Sequence, residues 1–315
     1  MSGAQRRLLR TEHTRVVHAG PETLYDLAAD VTLWPAVFGP SVHVHHLERG
    51  PGFERFELWA LVNGAVSSWV SRRTLDPERR SITFEQERSR APIASMGGEW
   101  LFRDLGGGRT EVVLRHHFSA VDDDAETIAW ITAALDRNSP EELAALARIT
   151  ETGHPLRDLV FSFVDTLPLD GGAEAAYRFV DRADRWAERL PHVARVVLDE
   201  PEPGVQELEM DTVTADGSAH TTRSVRVCRE PEWIAYKQLL PPELLFGHSG
   251  LWTFGTGPDG PVATARHTVA VDPGAVERVL GAGRTVADAR AYVREALGRN
   301  SITTLSYATR RVARS

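Results

Sequence analysis

Ser67-Ser68-Trp69-Val70-Ser71-Arg72-Arg73 and, further along, Ala219-His220-Thr221-Thr222-Arg223-Ser224-Val225 are the stretches on which the reading of this chain turns. Side chains alternate along a strand, so the first stretch places Trp69, Ser71 and Arg73 on one face. An aromatic, a hydroxyl and a fixed cation pointing the same way suit a pocket for a polar, carbonyl-rich ligand. At a constant offset, the echo replaces Trp69 by Thr221, Ser71 by Arg223 and Arg73 by Val225. An inward arginine is therefore expected in the second stretch at Arg223, one same-face step earlier than in the first.

The chain around these stretches has 315 residues, enough for two domains of ordinary size. With 42% hydrophobic and 25% charged residues it reads as an ordinary soluble globular protein. A net charge of −8 argues against a nucleic-acid partner, since no basic stripe is available to neutralise phosphates. Lys237 is the only lysine. The richness in arginine is thus compositional, and a single Arg carries little weight on its own. The one cysteine, Cys228, excludes an internal disulfide and any cysteine-based zinc site. Met1–Arg10 holds arginines with no apolar core after them, so no signal peptide is read, and no run approaches the roughly 20 apolar residues of a membrane helix. The expected setting is cytoplasmic, away from membranes and nucleic acid.

A short strand, His13–Val17, opens the first half. Gly20-Pro21-Glu22-Thr23 then starts a helix with Pro21 in its first turn and Leu24, Leu27, Ala28 and Val31 at helical spacing. Trp34-Pro35 ends or redirects it. From there the period is two, with strands expected at Ser41–Glu48, Phe53–Val62, Ala65–Leu75, Ser81–Arg88, Ser95–Leu105 and Thr110–Ala120. The turn signals Asn63-Gly64, Asp76-Pro77-Glu78 and Gly106-Gly107-Gly108 join them, and strands joined this closely are antiparallel neighbours. A long helix from about Glu126 to Ala147 closes the half, with Asn138-Ser139-Pro140 placed to kink it.

The second half repeats this order. Tyr25, Trp34, Phe84 and Trp100 recur at one offset as Tyr177, Trp186, Tyr236 and Trp252; Asn63-Gly64 recurs as Asp216-Gly217, and Arg137-Asn138-Ser139 as Arg299-Asn300-Ser301. The chain is read as a tandem duplication with a boundary near Glu151–Pro155, giving domains 1–152 and 153–315. Each is expected to be an α+β unit in which a bent antiparallel sheet wraps a long C-terminal helix and leaves an internal cavity lined by inward strand residues.

In order and spacing, Leu33-Trp34-Pro35-Ala36-Val37-Phe38, Trp69-Val70-Ser71-Arg72-Arg73 and Met96-Gly97-Gly98-Glu99-Trp100 resemble the aromatase/cyclases of bacterial type II polyketide synthases, members of the helix-grip (START or Bet v 1-like) superfamily. The duplication is similar to the didomain members of that family, and the resemblance covers essentially the whole chain. It implies two tandem helix-grip domains acting on a poly-β-ketone tethered to an acyl carrier protein, alongside other synthase subunits and without a cofactor. The implied reaction is aldol closure of the first ring, between C7 and C12 of a ketoreduced chain, and dehydration to an aromatic ring. The resemblance makes Arg73 and Ser71 a catalytic pair and Trp34, Trp69 and Trp100 pocket walls. Ser41 stands where monodomain relatives carry a tyrosine.

The chemistry gives these residue types a reason. A methylene between two carbonyls is already acidic, so a weak base or ordered water suffices, and stabilising oxyanion character is the harder demand. Arg73 offers a planar fork of donors for it, and Ser71 a second hydroxyl on the same face. Flat aromatic walls limit wrong ring closures. In the second half Arg223 is the retained cation, and Tyr236, His248 and His267 are candidate acid–base groups beside Trp252, which suits a division of labour between cyclisation and dehydration. His43 and His45 share a strand face with Glu57 nearby, and His46, His116 and His117 are the other strand histidines that invite a metal reading. Exposed strand histidines account for them better than a metal site. Two other functions fit the same fold: a non-catalytic carrier of aromatic molecules, and a structural subunit of a synthase complex.

Overall fold

In the computed structural model, residues 7–89, 91–213 and 219–312 are described. The chain divides into two units, Met1–Leu156 and Arg157–Ser315. Among the described residues no helix is long and apolar enough to cross a membrane.

In the first unit, β1 (Leu9–Val17) leads into α1 (Pro21–Ala29) and the single turn α2 (Trp34–Val37). The meander β2 (Ser41–Gly50), β3 (Phe53–Val62), β4 (Ala65–Asp76), β5 (Ser81–Gln86), β6 (Ile93–Gly106) and β7 (Arg109–Ala120) follows, and α3 (Ala125–Thr150) closes the unit. The sheet runs in the order β1-β7-β6-β5-β4-β3-β2, antiparallel throughout. Pro21 begins α1 because its missing N–H is unused in a first turn. Asp124 caps α3 by accepting from the Thr127 N–H. Helix α3 continues through Pro140 to Thr150 and buries Ile131, Leu135, Ser139, Leu143 and Leu146. The β3–β4 turn has positive φ at both Asn63 and Gly64, the geometry whose twist matches its strands.

The second unit begins with α4 (Leu156–Leu159), a single turn that reaches back across the boundary by one residue, and β8 (Val160–Pro168). It repeats the plan with α5 (Ala173–Asp181), α6 (Trp186–Arg189), β9 (Val193–Glu202), β10 (Val205–Val213), β11 (Ala219–Arg229), β12 (Trp233–Gln238), β13 (Leu245–Gly257) and β14 (Gly260–Val271). A short α7 (Val276–Leu280) precedes the long α8 (Val286–Val312). The strand order is again that of the first sheet, β8-β14-β13-β12-β11-β10-β9. The turn at Asp216-Gly217 lies outside the described residues.

The cross-strand register corrects one expectation. Opposite β3, Glu54 faces Arg73, Phe56 faces Ser71 and Leu58 faces Trp69; opposite β10, Gln206 faces Arg226, Leu208 faces Ser224 and Met210 faces Thr222. On the other side Arg73 faces Phe84 and Arg226 faces Tyr236. Strand β11 therefore lies one residue further along than a constant offset gives. The counterparts of Trp69, Ser71 and Arg73 are Thr222, Ser224 and Arg226, and not Thr221, Arg223 and Val225. A one-residue slip moves every side chain to the opposite face. Accordingly Arg223 is 60% exposed and paired with Glu209 on the outer side of the sheet, whereas Arg226 is buried.

Candidate functional site

Arg73 is 1% exposed and bonded on every side. Its Nε donates to Glu54 Oε1 at 2.9 Å, Nη1 to the Ala28 carbonyl at 3.0 Å, and Nη2 both to the Ala29 carbonyl at 2.6 Å and to Glu54. Its Cζ sits 4.9 Å from the Trp34 ring centroid and 5.4 Å from that of Phe56. Four of the five guanidinium hydrogens are thus engaged within the protein. Glu54 also bonds His46 at 2.9 Å. Burial by itself raises the Glu54 carboxyl, but the bond to His46 and the charge of Arg73 hold it below its ordinary value.

Around this hub the first unit is aromatic. Trp34 donates its indole N–H to the Ala28 carbonyl at 3.0 Å and meets Phe38 edge-on at 5.5 Å; Phe38 stacks on Trp100 at 6.1 Å, and Trp100 on Phe102 at 6.2 Å. Trp69, like Trp34 and Val44, packs against the buried cluster of Val31, Phe56, Leu58 and Ala60. Ser71 is 5% exposed and faces Phe56, and its hydroxyl has no hydrogen-bond partner among the described residues. Ser41 is buried at the start of β2, opposite Ala60. Trp34, Trp69, Ser71 and Arg73 therefore share one region, and Trp100 joins it through Phe38.

The second unit keeps the arginine and adds a polar network. Gln238, at the end of β12, bonds His248 Nδ1 through its amide oxygen at 3.0 Å; His248 Nε2 meets His267 Nδ1 at 3.0 Å, and His267 Nε2 meets the Ser301 hydroxyl on α8 at 2.9 Å. The amide oxygen only accepts, so His248 Nδ1 donates to it and its Nε2 accepts. His267 Nδ1 must then donate to that Nε2, and its own Nε2 accepts from Ser301. The polarity of the whole chain follows from one group. The Tyr236 hydroxyl lies 3.4 Å from His267 Nδ1, and its ring meets Trp252 at 5.7 Å. Gly250 lies opposite Tyr236 because any Cβ there would collide with the phenol ring. The Trp252 indole N–H is buried without a partner.

Burial pushes His248 well below the usual imidazole value, with His267 adding to the shift, and it lowers His267 to about 4. It raises the Tyr236 phenol well above its ordinary range. The site is thus a charge-free array of donors and acceptors near neutral pH. The unfolded imidazole binds its proton near pH 6.5, so between there and about pH 4 the unfolded chain holds more protons than the folded one. Stability is full above that window and falls with pH through it, by about 3 kcal/mol for His267. Melting temperature measured against pH checks this, and a flat profile from pH 6.5 to 4 would exclude the buried neutral pair.

Sequence reasoning alone does not bring Arg226 or Gln238 to this region, and it reaches Ser301 only as part of the repeated Arg299-Asn300-Ser301. His116, expected to be an exposed strand residue, turns its ring to Phe84 at 5.5 Å, has Nδ1 shut off from solvent without a partner, and faces Gly98 as His267 faces Gly250. Burial lowers it to about 3. His43 likewise is only 9% exposed and packs on Trp59. The register sets His116 and His267 at the same place in their sheets, opposite Gly98 and Gly250, whereas the constant offset of the repeat pairs His116 with Thr268. Among the described residues no group of three or more His, Cys, Asp or Glu side chains converges as a metal site.

Comparison with known proteins gives this geometry its context. The family described as polyketide cyclase / dehydrase and lipid transport matches residues 9–151. A granaticin polyketide synthase bifunctional cyclase/dehydratase of Streptomyces violaceoruber is 61% identical over 97% of this chain and 95% of its own length, and its actinorhodin counterpart from Streptomyces coelicolor is 53% identical over 95% of each. Among solved structures, the di-domain ARO/CYC BexL from the BE-7585A biosynthetic pathway superposes with a TM-score of 0.81 at 46% identity, covering 96% of this chain and 97% of its own. The di-domain ARO/CYC StfQ from the steffimycin biosynthetic pathway gives 0.80 at 38%, covering 95% and 97%.

Proposed function

The chain belongs to the didomain aromatase/cyclases of bacterial type II polyketide synthases, and from that premise we propose a substrate and a division of labour for its two units. The substrate is a ketoreduced poly-β-ketone carried by an acyl carrier protein in the cytoplasm, with other synthase subunits as neighbours. The first unit folds the chain for aldol closure between C7 and C12, and the second dehydrates the product.

The division rests on what each inner face offers. In the first unit, Trp34, Trp69 and Trp100 supply flat walls, and the unbonded Ser71 hydroxyl is free to hold a carbonyl oxygen. The second unit has a neutral phenol backed by an imidazole N–H. In dehydration the acidic α-carbon gives its proton to water, the carbon–oxygen bond of the β-hydroxyl breaks, and the departing hydroxide takes the Tyr236 proton. One water and an enone result, and the phenolate recovers its proton from the hydronium formed first. The His267 Nδ1–H, bonded to His248 in the resting state, lies 3.4 Å from the oxygen on which charge develops. The unpartnered Trp252 N–H is a further donor at the same wall. The Tyr236–His267–His248 array is the observation that carries this reading.

Adding the protein to a minimal synthase with its ketoreductase tests it. Products should gain the mass loss and ultraviolet absorption of a dehydrated first ring. An unchanged product profile would overturn the reading, and tight binding of polyketide without new products would favour a carrier.

A further inference from the structure

We infer that Arg226, and Arg73 in the same place of the first unit, are positioning residues: each locks the C-terminal carbonyls of the helix that follows its unit's first strand and, through a tryptophan packed on its guanidinium, fixes the aromatic wall of the site. The inference deepens the reading above and rests on it for the role of Tyr236.

The two arginines make the same contacts. Arg73 donates to the carbonyls of Ala28 and Ala29, which end α1, and Arg226 donates to those of Val180 at 2.7 Å and Asp181 at 3.5 Å, which end α5. A helix leaves its last carbonyls without intrahelical partners and gathers partial negative charge there, so a fixed cation with forked donors suits the position. Each guanidinium then lies on the tryptophan that opens the next helical turn, at 4.9 Å from Trp34 and 5.4 Å from Trp186. Each tryptophan also bonds back to its helix, Trp34 to the Ala28 carbonyl and Trp186 to that of Phe179 at 3.3 Å.

From there packing continues to the site. Trp186 meets Trp252 at 6.0 Å, Trp252 meets Tyr236 at 5.7 Å, and Tyr236 reaches His267. In the first unit the line runs from Trp34 through Phe38 to Trp100. At 1% and 2% exposure neither arginine has a surface to offer a substrate. The duplication preserves the clamp while changing Trp69 to Thr222, Glu54 to Gln206 and Phe84 to Tyr236, as expected of a part that supports two different chemistries.

A double-mutant cycle on the full chain tests the inference, combining Arg226→Gln with Trp186→Leu and following dehydration kinetics, near-ultraviolet circular dichroism and the His267 titration by NMR. An arginine that acts through Trp186 gives similar single-mutant losses, each about ten-fold or more in kcat with little change in KM, and a double mutant no slower than the worse single. Loosened packing also admits water, so the His267 titration moves up from about 4 towards 6.5 in both single mutants. Additive losses, or a raised KM with unchanged tryptophan ellipticity and an unmoved titration, would overturn the inference and make Arg226 a substrate contact. Arg226→Lys runs in parallel, because it keeps a buried donor should the glutamine variant not fold. If Tyr236→Phe leaves dehydration intact, the acid role fails, while the ellipticity and titration still decide the clamp.

Discussion

Replacing Glu54 by alanine is expected to destabilise the first unit by about 3–5 kcal/mol, the effect of stranding one partner of a buried ion pair. Arg73 cannot shed its proton and is sealed from water, so its charge would keep only the two carbonyl dipoles of α1 and the faces of Trp34 and Phe56. His46 would lose its buried acceptor at the same time. For a unit of this size the loss lowers the melting temperature of the first transition by roughly 10 °C. Glu54→Gln should be milder, because an amide oxygen still accepts from Arg73. The second unit already carries Gln206 at this place, and it has Asp181 where the first has Ala29. Adding Ala29→Asp to Glu54→Gln copies that arrangement and should recover part of the loss. Thermal unfolding of the full chain reads all three variants. A shift below about 1 kcal/mol for Glu54→Ala would mean that the carbonyls and rings alone hold the cation.

The Glu54–Arg73 pair also marks where the sequence stops being legible. Strand positions, turns, helix caps and the duplication follow from local chemistry: Pro21 at a helix start, Asn63-Gly64 at a two-residue turn, period two from Ser41 to Ala120. That Trp69, Ser71 and Arg73 share an inward face is also a local property, fixed by alternation. Two things were not local. Four aromatics at one offset conceal a strand displaced by a residue, because the paired positions of β10 and β11 stand one residue further apart in sequence than those of β3 and β4, and those of β11 and β12 one residue closer than those of β4 and β5. Anchors on both flanks agree while the strand between them is inverted, so a constant offset points Arg223 inward in place of Arg226. The second is the partner of a buried charge: Glu54 lies on a neighbouring strand and Ala28 on a helix, and only the register brings them to Arg73. The same holds for Ser301, which meets His267 from a helix 34 positions later.

Changing Tyr236 to phenylalanine should slow dehydration by roughly 10²–10⁴ while leaving ring closure intact, the range for loss of a positioned general acid. The first unit supplies the control, since Phe84 holds the equivalent place opposite Gly98 and packs there without a hydroxyl. The substitution removes one oxygen and little volume, so folding should change by less than about 1 kcal/mol and the melting temperature should hold. The products separate the steps: a ring-closed β-hydroxy compound accumulates if the second unit is the dehydratase, whereas loss of both products places closure there too. The acid limb of the rate profile adds a second readout. With the phenol gone, His267 Nδ1–H keeps His248 as its only acceptor, so the pair stays neutral near pH 7 and the remaining rate should not fall until the pH approaches His267's value of about 4. A Tyr236→Phe enzyme with wild-type dehydration would mean that water reaches the leaving hydroxyl and that the imidazole pair serves only to hold β13 and β14 against α8.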